Sequence, residues 1–200
     1  MVQPNWYYNL QSGEPESPLG FVLQRLLESR AHLGCPSHTS ADEEINVYLG
    51  HLLLAVMTPA YRERCSRYVG DSDTDVFHRV EDVRESSEKF CVYRANADHR
   101  LLNASVFRAP DAPSADETGS TYYHFAAEYH KQMYRRATPV SVVLEQLSDE
   151  FHTYEAVLIH MRHAYLQLWG GVSDAALQHW LRTLDEPPAA GTSPPDNVAT

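Results

Sequence analysis

The chain has 200 residues, 43% of them apolar, and carries 16 Lys and Arg against 27 Asp and Glu, a formal charge of −11 with histidine neutral. That length suits one domain that buries most of its apolar surface without disulfide or metal staples, and the acidic balance argues against phosphate backbones and anionic lipid headgroups as partners. No stretch reaches the ~20 apolar residues of a membrane span. Residues 1–6 lack the basic and apolar parts of a signal peptide, and Cys35, Cys65 and Cys91 are odd in number and scattered. Free thiols in a reducing compartment follow, so a cytoplasmic protein with neither nucleic-acid nor membrane partners is expected. Eleven histidines would bring the formal charge from −11 to about zero on full protonation.

Trp6, Tyr7 and Tyr8 open the chain as an aromatic cluster expected to dock on the core, before a polar loop through Gly13 and Pro15. Ser17-Pro18 is a cap followed by a proline at the first helical position, and it predicts a helix to about Leu33 with Gly34 as terminator. Its apolar face carries Leu19, Val22, Leu23, Leu26 and also Arg30. Ser40 and Glu43 have capping-box spacing ahead of a helix to about Thr58 that is apolar nearly all round and therefore central. His51 on that helix reads as a core or boundary histidine. A short basic helix is predicted over 60–69, a loop over 70–73 and a further helix over 74–88.

The run Phe90-Cys91-Val92-Tyr93 fits either a strand or a helical turn and is read as helix; Asn96 is then expected to cap a separate helix carrying Leu101, Leu102, Val106 and Phe107. Residues 109–120, with two prolines and Gly119, read as a flexible internal loop. A helix over 121–136 follows, and the Ala137-Thr138 turn leads to one uninterrupted helix over 138–169, roughly 45 Å long at ~1.5 Å per residue. Its apolar side gathers Val143, Leu147, Tyr154, Val157, Leu158 and Met161, and Glu145, Asp149, His152, Glu155, His160 and His163 stand opposite. A last helix from Ser173 and a disordered tail over 186–200 complete the chain. The expected fold is all-α: an irregular bundle of seven or eight helices over 1–185, built on a long C-terminal helical hairpin.

One pattern occurs twice. Asp75-Val76-Phe77-His78-Arg79-Val80-Glu81 and Asp149-Glu150-Phe151-His152-Thr153-Tyr154-Glu155 both read D-x-F-H-x-x-E. Histidine and carboxylate three apart share a helix face and can hold a divalent metal with ligands from a facing helix, which makes His78, Glu81, Asp149, His152 and Glu155 the metal candidates. The apolar phase of each helix points both triplets to solvent, and with 27 acids and 11 histidines such spacings arise by composition alone. His32, Cys35, His38 and Asp42 have ligand-like spacing but lack the paired cysteines usual in zinc loops. No phosphate-cradling glycine pattern and no nucleophile elbow is present. The function read from sequence is therefore a non-catalytic interaction or assembly protein that needs no cofactor, with a protein partner or self-association. The alternative is a metal-dependent His/carboxylate bundle enzyme.

Overall fold

In the computed structural model the described residues are 17–35, 39–56, 58–107 and 118–165. Among them the chain forms eight helices and no strand, so the fold is all-α: α1 (Pro18–His32), α2 (Ser40–Ala55), α3 (Pro59–Tyr68), α4 (Asp73–Asp82), α5 (Ser86–Ala104), α6 (Thr118–Tyr134), α7 (Pro139–Asp149) and α8 (Phe151–Ala164). The aromatic cluster at residues 6–8, the helix expected from Ser173 and the tail over 186–200 lie outside the described residues, as does most of the loop expected over 109–120.

Local chemistry sets most of the boundaries. Ser17 accepts from the Gly20 amide at the start of α1, and Thr58 and Thr138 cap α3 and α7, each ahead of a proline at the first helical position. Gly34, at φ 71°, follows α1 in the left-handed conformation that glycine adopts without steric cost. The capping box of α2 is shifted one residue from expectation: Thr39, not Ser40, is the cap, and Asp42 returns the bond to the Thr39 amide. A second capping box, Ser72 with Asp75, opens α4 and gives Asp75 a structural task.

Two boundaries differ because tertiary packing outweighs local pattern. The helix expected over 74–88 ends at Asp82, and α5 then runs unbroken from Ser86 to Ala104. Asn96 is no cap; it sits 2% exposed inside α5, donating to the Tyr68 and Val92 carbonyls and accepting from the Gly70 amide, which fastens the α3–α4 loop to α5. Likewise, of the single helix expected over 138–169, the described part through 165 is two helices. The chain breaks at Glu150 (φ −112°, ψ 27°), whose amide closes α7 onto Gln146 and whose carbonyl receives the Thr153 and Tyr154 amides of α8.

No glycine or proline marks that break. What it accommodates is Phe151, 3% exposed, which lies so close to Gly119 that a Cβ there would stand 2.5 Å from its ring. It also redirects the chain: α7 packs on α6 and α2, while α8 packs on α1 and α5. One straight rod could not reach both pairs. The helix α6 begins at Thr118, three residues earlier than expected, and its antiparallel neighbour α7 is tied to it by Ser148 Oγ donating to the Ser120 carbonyl and by the Lys131–Glu145 ion pair.

The core runs through all eight helices, with Leu26, Ile45, Leu49, Val76, Leu101, Tyr122, Leu144, Leu147 and Leu158 among its buried side chains. The helix α5 lies at its centre, touching α3, α4, α6 and α8.

Candidate functional site

The repeated D-x-F-H-x-x-E pattern does not assemble a site. His78 and Glu81 project from α4 with side chains 69% and 78% exposed, Nδ1 and Oε2 3.9 Å apart. Asp149 and His152 are also exposed. Glu155 departs from expectation: it is 5% exposed rather than solvent-facing, and its Oε2 lies 3.1 Å from His152 Nδ1. Among the described residues no three His, Cys, Asp or Glu side chains are grouped to hold a metal. Asp42 is committed to Arg30 and Thr39 instead of to the His32-Cys35 loop.

The polar stripe on the C-terminal helices is likewise partly covered. Glu145 pairs with Lys131 of α6, and the His160 ring stacks on His32 of α1 at 4.3 Å between centroids with 23° between planes. Burial, then the neighbouring His32 and His163, lower the His160 pKa below the ordinary imidazole value. His51, expected at the core boundary, is exposed.

What the fold does assemble is a carboxylate beneath two arginines. Asp98 of α5 is 1% exposed. Its Oδ1 accepts from Tyr48 of α2 at 2.6 Å and from Tyr123 of α6 at 3.1 Å. Its Oδ2 has no hydrogen-bond partner among the described residues, with Arg64 Nη2 of α3 at 3.7 Å and Arg94 Nε, one turn earlier on α5, at 3.9 Å. Arg94 Nε instead donates to the Tyr48 hydroxyl at 3.1 Å, and its guanidinium covers the Tyr48 and Phe90 rings.

Burial is the leading influence on Asp98 and raises its pKa, opposed by Arg94, Tyr48, Arg64 and Tyr123. The same burial and the nearby Asp98 charge push the Tyr48 and Tyr123 hydroxyls far above the ordinary phenol range, so both remain protonated donors. The arginine side chains are 33% and 34% exposed, so the cluster reaches the surface through them.

A second charged group is closed. Arg30, 4% exposed, bonds Asp42 Oδ1 at 2.6 Å, Asn46 Oδ1 at 3.3 Å and the Cys35 carbonyl at 3.0 Å, with the Tyr154 ring beneath it. All of its reach is spent on joining α1, α2 and α8. It holds the fold and leaves nothing for a ligand.

At the other extreme of polarity, four of the six exposed large apolar side chains among the described residues, Met133, Tyr134, Val140 and Val142, lie at the α6–α7 end. An open groove of about 380 Å³ includes Val142 in its lining, with Ala41, Glu44, Ala137, Thr138 and Pro139. Arg135 and Arg136, both exposed, form the turn itself, and Arg135 is held at φ 54°.

Comparison with protein-family models, curated proteins and solved structures gave no match. The site residues that sequence reasoning missed are Asp98, Arg94, Arg64, Tyr48 and Tyr123. A signal for Asp98 is present in helical phase, because it lies three and four residues before Leu101 and Leu102 and one turn after Arg94.

Proposed function

We propose that this chain is a non-catalytic assembly protein that associates with a second copy of itself through the α6–α7 end. The observation that carries the reading is the gathering of Met133, Tyr134, Val140 and Val142 at one end of the bundle beside an open groove, where scattered exposure would need no explanation. Charge complementarity selects the occupant. Arg135 and Arg136 lie on the turn and Glu44 on the wall of the groove, so a two-fold contact sets the basic turn of one copy against the acidic wall of the other.

The patch involves fewer residues than the ~20–30 per side of a standard interface, which fits a weak and reversible association. Sedimentation equilibrium tests it. A concentration-dependent monomer–dimer equilibrium supports the reading, and a monomer at high micromolar concentration removes it. Metal analysis of protein purified without a histidine tag adds a separate check, because stoichiometric iron, manganese or zinc would favour a metal-dependent enzyme.

A further inference from the structure

We infer that Arg64 and Arg94, above the buried Asp98 carboxylate, form a binding site for the carboxylate group of a small organic acid. The inference does not rest on self-association, although Arg94 lies over Phe90, whose ring packs on His130 beside Tyr134 and Thr138 of the α6–α7 end.

The first ground is unspent hydrogen-bonding capacity. Among the described residues Arg64 finds no hydrogen-bond acceptor, although two thirds of its side chain is covered and its Nε is fully buried. Arg94 spends only Nε, on the Tyr48 hydroxyl. A buried guanidinium N–H without an acceptor carries its whole desolvation penalty, which is why such groups are ordinarily satisfied. Asp98 does not satisfy them: its Oδ2 stays at 3.7 and 3.9 Å, beyond hydrogen-bond distance of either arginine.

The second ground is positional restraint. Each guanidinium is held by aromatic faces, Arg64 over Tyr61 at 5.0 Å and Arg94 over Tyr48 at 5.1 Å and Phe90 at 5.9 Å. Two planar forks fixed in this way meet a planar acceptor with little ordering cost, and a guanidinium matches a carboxylate in bidentate fashion.

The third ground is charge. Two arginines over one carboxylate leave a local excess of one positive charge in a chain whose formal charge is −11. A singly charged group neutralises that excess, whereas a dianion would overshoot it against the surrounding acidic field. This selects a carboxylate over a phosphate. Asp98 acts as the floor of the site: held by Tyr48 and Tyr123, it fixes the arginines by charge without consuming their donors.

The test is an NMR titration of the full chain, following the Arg Nε–Hε signals of Arg64 and Arg94, with sodium acetate as probe and sodium chloride and sodium phosphate at matched ionic strength as comparisons. The site predicts saturable shifts of both signals with acetate and only small, linear shifts with chloride. In Arg64→Gln, which changes a one-third exposed side chain, acetate affinity should fall at least about tenfold, the factor that loss of a charge-assisted hydrogen bond corresponds to. Arg64→Lys keeps the charge but not the fork and should weaken binding less. Absence of saturation with acetate in the wild-type protein overturns the proposal whatever the variants do. Preferential saturation by phosphate overturns the choice of a singly charged group.

Discussion

The Tyr48 hydroxyl donates to Asp98 Oδ1 at 2.6 Å across fifty residues of sequence, joining α2 to the central helix α5 inside the core. The same oxygen takes a second bond from Tyr123 of α6, so one carboxylate locks three helices together. Replacing Tyr48 by Phe leaves the ring over which Arg94 lies and removes the hydroxyl, with its bond to Asp98 and the one it accepts from Arg94 Nε. A hydrogen bond to a charged group contributes about 1.5–3 kcal/mol, and urea denaturation of Tyr48→Phe should show a loss in that range. A loss under half a kcal/mol would mean that Tyr123 alone satisfies Asp98.

The contact between Gly119 and Phe151 gives a second prediction. A Cβ on residue 119 would stand 2.5 and 2.6 Å from two ring carbons of Phe151, at the point where α7 breaks into α8. Gly119→Ala should therefore destabilise by about 1–3 kcal/mol, the usual cost of overpacking. Adding Phe151→Leu should make the double variant more stable than the sum of the single losses. Strict additivity would place the break under some other control.

Acidification should loosen the packing of α1 on α8. Burial, His32 and His163 depress the His160 pKa, and burial and Arg94 depress that of His130. Each folded-state value lies below the unfolded one of about 6.5, so the unfolded chain takes up protons first as the pH falls. The stability these groups contribute is present above about pH 6.5 and is lost on descending through the folded pKa. Arg25 and His163 near the stack add positive charge, and Glu28 beside Arg25 and Tyr165 opposes it in part. Urea midpoints compared between about pH 7.5 and about pH 5.5 should fall for the wild-type protein and fall less for His160→Gln, with His130 supplying part of the remainder. An identical fall in the variant would contradict the role given to the stack.

Arg135 is held at φ 54°, where an L side chain other than glycine is strained. Arg135→Gly should raise stability by about 1 kcal/mol, whereas Arg135→Ala, which keeps the strain, should change it little. Equal effects of the two would remove backbone strain as the cause.

The fold was legible wherever local chemistry and helical phase agree. Ser17-Pro18, Thr138-Pro139 and the apolar face of α1 all place residues where the structure has them, Arg30 on that face included. The break at Glu150 was not legible, because no proline or glycine marks it and the reason for it is Gly119 in another helix. Asp98 was hidden by a different error. Dividing residues 90–107 at Asn96 destroys the phase that sets Asp98 beside Leu101 and Leu102, and no local pattern in one chain foretells that Tyr48, Tyr123 and Arg64 meet it from three other helices. The triplets around His78 and His152 show the converse, since matched spacing within each helix says nothing about whether the two helices bring those faces together.

A charge-reversal cycle followed by sedimentation velocity tests the proposed self-association most directly. In a two-fold contact through the α6–α7 end, Arg136→Glu and Glu44→Arg should each weaken the dimer by setting like charges together, and the chain carrying both should recover it by exchanging the signs. The account predicts wild-type protein and the double variant sedimenting as reversible dimers at micromolar concentrations where both single variants are monomers. Four proteins with the same sedimentation behaviour, monomeric or not, would contradict it.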